Sequence, residues 1–275
     1  MSVFAMAIIL YMLIGALAGF LAGLFGIGGG IILVPGFYYT LSWLYPEGSQ
    51  LMQISIGTAL ATIIVTGLSS VRAHAARQNI KKDILFKLGP GVAIGSLLSA
   101  VIADILPSDT LKSFFAIMIM GLAVLMIIGP EKISRKLGRK TEAFPNYIFS
   151  SISGAVIGCL SGLMGIGGAT LSVPFMSSFH VEIKKAVGTA SAIGLFIAVP
   201  SAMGFILMGL SENTGVDHTI GYIYWPAWIS VICCSSITAI YGAKMAHELD
   251  PVKLKKIFAI FMVVIAISMM GDELF

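Results

Sequence analysis

The chain is organised by apolar runs of membrane-crossing length. Eight of them, at 4–25, 54–71, 85–104, 111–128, 146–164, 188–210, 224–246 and 254–270, carry few charges. A helix needs roughly 20 mainly apolar residues to cross the hydrocarbon core of a bilayer. Two more apolar stretches, 31–44 and 169–179, are too short to cross comfortably, and each follows a glycine cluster. Only 11% of the 275 residues are charged, against roughly a quarter in a soluble domain. So few charges cannot coat a water-facing surface, and no polar block is long enough for a separate soluble domain. The sequence predicts an all-α polytopic membrane protein. The opening MSVFAMAIILYMLIGALAGF lacks the positive n-region of a signal peptide and reads as a retained segment.

Loop charge gives the orientation, because Lys and Arg near helix ends stay on the cytoplasmic side. Basic residues gather at 72–83, at 129–145 and at 247–256, with a smaller pair at Lys184 and Lys185. The loops 45–52 and 211–222 contain no Lys or Arg. With the basic loops inside, the path closes on one condition: 4–44 and 146–179 must each leave and return on the same side, as hairpins bent at their glycines. The other runs then cross once each, and both termini lie outside.

The two hairpins are copies of one another. GALAGFLAGLFGIGGGIILVP, from Gly15, aligns without gaps on GAVIGCLSGLMGIGGATLSVP, from Gly154. Downstream, SIGTALAT at 55–62 matches AVGTASAI at 186–193, and LKSFFAI at 111–117 matches LKKIFAI at 254–260 more weakly. The expected organisation is a first repeat at 1–128, a basic cytoplasmic linker at 129–145 and a second repeat at 146–275. Each repeat is a glycine-broken hairpin plus three spans. An odd number of crossings turns the second repeat upside down, and the exchanged loop charges agree. Inverted repeats with broken helices mark many secondary transporters, whose substrate sits near the midplane between the halves.

Two glycine patterns overlap. Gly15, Gly19 and Gly23, like Gly154, Gly158 and Gly162, share one helix face and let a neighbouring backbone approach closely. GIGGG at 26–30 and GIGGA at 165–169 are dense enough to break a helix. Irregular backbone at membrane depth is tolerated only where it is buried in protein or faces a water-filled cavity. The helix restarting after each break offers unpaired N–H groups and a positive dipole end. Two such ends converging between the halves make a site for an anion. The expected substrate contacts are Gly26, Gly28, Gly29, Gly30, Gly165, Gly167 and Gly168, with hydroxyls from Thr58, Thr170, Thr189 and Ser191. Arg72 and His74, at the inner end of their helix, are candidates for the mouth or gate; positive-inside anchoring explains them equally well.

Other chemistries are disfavoured. The glycines are not followed by Lys–Ser/Thr and are not spaced G-x-G-x-x-G, so they form no nucleotide loop. The net charge of +4 reflects basic loops, and without a basic–aromatic stripe it does not suggest nucleic acid. Carboxylates are nearly absent from the spans, which argues against a metal-cation carrier. Cys159, Cys233 and Cys234 read as small buried hydrophobes without metal-ligand spacing. No nucleophile–base pair or metal cluster lies within the spans, so an enzyme is not expected, and neither is a cofactor.

The doubled GLFGIGGG…VP and GLMGIGGA…VP, with the following IGTA and VGTA, resemble the sulfite exporter TauE/SafE family, and RAHAARQNIKKD is similar to that family's inner loop. The resemblance covers nearly the whole chain. It implies a secondary transporter of the bacterial inner membrane for a small sulfur-containing anion such as sulfite or an organosulfonate. One departure is Ala169, where the first repeat has Gly30. A passive anion channel and a carrier of another small organic anion stay open beside this reading, as do a coupling proton or ion and a homo-oligomeric state.

Overall fold

The computed structural model describes residues 3–25, 29–128, 144–246 and 251–271. They form α1 (Val3–Phe25), α2 (Gly30–Leu44), α3 (Leu51–Ala76), α4 (Lys82–Ile105), α5 (Ser108–Ile128), α6 (Tyr147–Leu163), α7 (Ala169–Ser177), α8 (Ile183–Gly209), α9 (Trp225–Ala246) and α10 (Pro251–Gly271). The expected linker falls largely outside the described residues, as do Gly26 and Gly28. By length and composition α1, α3, α4, α5, α8 and α9 can cross a bilayer. α6, with 17 residues, and the apolar part of α10, Lys256–Gly271, are shorter. At 1.5 Å per residue the 15 residues of α2 reach about 22 Å and the 9 of α7 about 14 Å, against roughly 30 Å of hydrocarbon. The two short legs therefore do not cross alone.

Side-chain exposure follows a lipid solvent. Ile148, Ile152 and Val156, four residues apart on α6, face outward, while Gly154 and Gly158 on its other face pack against protein. Phe86 and Ile105 are more than 70% exposed, which water would penalise and acyl chains do not. Cys233 joins this exposed set rather than the core.

Capping residues set several helix ends. The Asn146 side chain accepts the Phe149 N–H at 3.0 Å and starts α6. α6 stops at Gly165, whose φ of +61° is open to glycine at little cost. The Gly165 N–H then reaches the Gly162 carbonyl at 3.2 Å, and the Ile166 N–H reaches the Ser161 carbonyl at 3.0 Å. This is the paired bonding of a Schellman end, and it turns the chain back into the second hairpin.

Several contacts made by residues 3–128 have a matching contact in residues 144–271. α1 packs along α9, with Gly15 against Val231 and Gly19 against Ser235. α6 packs along α4, with Gly154 against Leu88 and Gly158 against Val92. At Gly57 a methyl group would strike the Tyr222 carbonyl; at Gly188 it would strike the Asn79 carbonyl. The Thr58 hydroxyl accepts the Tyr224 N–H at 3.0 Å, and the Thr189 hydroxyl accepts the Lys81 N–H at 2.9 Å. The two hairpin tips meet where Gly30 faces the Gly165 carbonyl.

The connection before α9 has no such match. Thr219–Ile220 and Ile223–Tyr224 form a short antiparallel β-hairpin inside what the sequence suggests is a plain loop. Its Tyr222 N–H bonds the Phe205 carbonyl of α8 at 3.1 Å, and its Tyr222 hydroxyl donates to Asp104 at 2.7 Å. Burial and the Asp104 carboxylate both push the Tyr222 hydroxyl well above its ordinary pKa, keeping it a donor.

Candidate functional site

A chamber of about 330 Å³ lies between the two hairpin tips and extends along the C-terminal half of α3. α1 contributes Ala18, Gly19, Ala22 and Gly23; the start of α2 contributes Gly29 and Leu33. From the second hairpin come Gly167, Gly168 and Ala169, and from α8 Ala190, Ser191 and Gly194. The remaining wall is Thr62, Ile63, Thr66, Gly67, Ser69, Ser70 and His74 of α3 with Ser235 and Ala239 of α9. From Thr62 to His74 the wall runs about 18 Å along the helix axis. It ends beside Arg77, so the chamber leads toward the face that carries the basic loops.

The wall is built mainly of Gly and Ala and presents more apolar than polar surface, with scattered hydroxyls and one imidazole, and it holds no Lys, Arg, Asp or Glu among its described residues. The partial positive charge beside it is that of two helix starts. Gly29 and Gly168 precede the first turns of α2 and α7, and neither provides a side-chain cap. In α2 the Ile32 N–H reaches back to the Gly29 carbonyl at 3.0 Å, while the N–H groups ahead of it, like those opening α7, have no acceptor within their own helix, and each helix start carries roughly half a positive charge. Two side-chain atoms in the wall are buried without a hydrogen-bond partner: Ser235 Oγ, on a residue only 2% exposed, and His74 Nδ1. By contrast, Thr62 donates to the Thr58 carbonyl at 2.9 Å and Ser191 to the Gly188 carbonyl at 2.7 Å. Those two hydroxyls offer the chamber lone pairs; Ser235 can offer a proton.

Of the residues expected from sequence, the structure brings Gly29, Gly167, Gly168, Ser191 and His74 to the chamber. Gly30 and Gly165 sit where the tips touch, outside the wall. The Thr170 hydroxyl is buried, unpartnered and also outside it. Arg72 is exposed and does not line the chamber. The expectation that Thr58 and Thr189 donate hydroxyls to a ligand needs correcting. Thr58 donates to the Ile54 carbonyl at 2.6 Å and Thr189 to the Lys185 carbonyl at 2.7 Å. Each also accepts an N–H from the opposite half, so both are joints between the halves.

Sequence reasoning missed Thr62, Thr66, Ser70 and Ser235. A signal was present for three of them: Thr58, Thr62, Thr66, Ser70 and His74 recur every four residues. Four residues turn a helix by about 40° more than one full turn, so the stripe winds from the joint at Thr58 into the chamber.

Comparison with known proteins decides the family. The model of the sulfite exporter TauE/SafE family matches residues 11–269. The chain belongs to that family. The match contains both hairpin tips and every residue of the chamber wall. A probable membrane transporter protein of Haemophilus influenzae is 34% identical over 95% of this chain and 97% of its own length. Similar proteins named probable membrane transporter occur in Bacillus subtilis, where YunE is 26% identical over 98% of this chain and all of its own length, and in Methanocaldococcus jannaschii, at 26% over 90% and 88%. No solved structure matches at a significant level. The protein is thus a multi-pass membrane transporter of the TauE/SafE type.

Proposed function

We propose that the protein is a secondary carrier, and not an enzyme, that moves a small sulfur-containing anion such as sulfite or an organosulfonate by alternating access. The observation that carries this reading is the pair of uncapped helix starts, at Gly29 and Gly168, on one chamber whose described wall holds no carboxylate. Each helix start favours an anion by about 0.3–1 kcal/mol when exposed, and by up to about 2 kcal/mol when partly buried. Two such ends bind a small anion without a fixed buried cation, so the site can also release it. Ser235 and His74 complete the donor set.

The contacts that recur with the halves exchanged support two inverted repeats, 1–128 and 146–275. With the basic loops cytoplasmic in the bacterial inner membrane, the chamber as seen opens inward. Toward the 45–52 loop, which carries no Lys or Arg, Tyr11, Phe37, Tyr45 and Tyr224 pack ring against ring, with centroids 5.9–6.2 Å apart, and in this reading they close that side. A passive channel would need both sides open at once.

The test is flux of radiolabelled sulfite and of an organosulfonate in proteoliposomes, with counterflow. Gly29→Val crowds the chamber wall, because the nearest atoms to a Cβ there belong to the lining residues Leu33 and Ala18, at 3.4 Å or more. It is expected to abolish saturable flux without loss of folded protein. Undiminished flux removes the site, and electrical conductance far above carrier turnover removes the carrier.

A further inference from the structure

The open chamber has a counterpart that is shut. The repeat alignment pairs Ala22 with Ser161, Gly23 with Gly162, and Leu33 with Ser172; the GTA match pairs Ser70 with Ser201. Gly19 rests on Ser235 and Gly158 on Val92, so Val92 answers Ser235, and Ser96 answers Ala239. The first member of each α1, α2 and α3 pair lines the open chamber. The partners Ser161, Gly162, Ser172 and Ser201, with Ser96, are buried on the other side.

This closed side is unusually rich in hydroxyls. Ser201 Oγ and Ser99 Oγ lie 3.2 Å apart, and Ser201 donates to the Ser96 carbonyl at 2.7 Å. Ser96 reaches the Phe196 carbonyl at 3.2 Å. That carbonyl is free because Pro200, four residues on, has no N–H to offer. Gly162 abuts the Ser99 and Ser201 hydroxyls. The hydroxyls of Ser161 and Ser172, residues at 1% and 0% exposure, have no hydrogen-bond partner. An apolar core would be cheaper at both positions, since a buried hydroxyl without a partner loses its hydration for nothing. Those two hydroxyls make physical sense if another state of the protein uncovers them.

We propose that Ser96, Ser99, Ser161, Ser172 and Ser201 wall a second, latent chamber that opens on the non-basic face as the first one closes, and that their hydroxyls hold the carried oxyanion there. The inference rests on the alternating-access reading. It adds the residues of a state the structure does not display.

The experiment uses the full chain with Cys159, Cys233 and Cys234 replaced by Ala, carrying single Ser161→Cys or Ser172→Cys, in membrane vesicles of either orientation. The probe is a charged, membrane-impermeant methanethiosulfonate, with Ala22→Cys and Leu33→Cys as counterparts. Ala22→Cys and Leu33→Cys are expected to react from the basic face. Ser161→Cys and Ser172→Cys are expected to react from the opposite face, roughly tenfold faster than from the basic one. Reaction from the basic face, or from neither face, in vesicles that still exchange sulfite overturns the latent chamber and leaves the carrier reading standing. Labelling as expected without exchange of any anion upholds the second chamber and sinks the carrier reading. A double Ser161→Ala, Ser172→Ala chain guards against misfolding. It is expected to melt at a higher temperature yet lose most of its flux; unchanged flux overturns the inference.

Discussion

Replacing Thr58 by Val keeps the shape of the side chain and deletes its hydroxyl. The Tyr224 N–H, 3.0 Å away and buried, is then left with no acceptor. The lost bond to the Ile54 carbonyl matters less, since that carbonyl belongs to the same helix. Leaving a buried donor unpaired costs about 1–3 kcal/mol. The matching change in the other half, Thr189→Val, frees the Lys81 N–H, but that bond is only part-buried. Lys81 sits among basic residues at the start of α4, where water can replace the hydroxyl, so the loss is nearer 0.5–1 kcal/mol. In thermal unfolding in detergent this is a drop on the order of 5 °C for Thr58→Val and about 2 °C for Thr189→Val. Thr58→Ser, which keeps the hydroxyl, is expected to stay close to the parent. Equal losses from the two Val variants, or a larger loss from Thr189→Val, would refute the claim that burial sets the strength of these reciprocal joints. Two silent variants would refute the joints themselves.

Gly91 and Gly95 of α4 lie against the Ser151 and Ala155 carbonyls of α6, whereas Gly121 of α5 has no atom within 4 Å of an added Cβ. Gly91→Leu is therefore expected to abolish the monodisperse peak in size-exclusion chromatography, and Gly121→Leu to leave it intact. Tyr222→Phe removes a bond to Asp104 that anchors the β-hairpin against α4; a loss of about 1–2 kcal/mol should appear as a lower melting temperature. Ser235→Ala deletes a hydroxyl that has no protein partner, so stability should hold, while the thermal shift induced by sulfite should shrink.

The helices were readable because the bilayer imposes a simple rule on length and polarity, and the ends of α3, α5, α8 and α10 moved by only a few residues. The glycine faces were equally plain: Gly15, Gly19, Gly154 and Gly158 meet backbone, as their four-residue spacing implies. The roles of Thr58 and Thr189 were not readable. A threonine beside glycine in a span can bind a ligand or brace a neighbour, and only the position of Tyr224 and Lys81 distinguishes the two. Ser235 was hidden for a related reason, since a lone serine in an apolar run gives no period. The β-hairpin at 219–224 was missed because its strands are two residues each, too short for alternation to register.

The stripe on α3 also makes the two chambers chemically unequal, and that inequality can be tested. The counterparts of Thr62, Thr66 and His74 on α8 are Ile193, Ile197 and Phe205, all fully buried on the closed side. Opening that side would expose them, and each such side chain gains about 1.5–3 kcal/mol from burial. On the α3 side Thr62 is already buried, so closing it would further bury only the Thr66 hydroxyl and the His74 imidazole, with far less to gain. Without ligand, the balance therefore favours the state seen here, open toward the basic face. Ile197→Thr removes most of one apolar contribution and is expected to shift the balance by about 1–2 kcal/mol, roughly tenfold in population. In a Ser161→Cys background the labelling rate from the non-basic face should rise by that factor, while labelling at Ala22→Cys slows only slightly because its state remains the majority. An unchanged rate at Ser161→Cys, with the protein folded and exchanging anion, would mean that apolar packing against α8 is not what holds the second chamber shut.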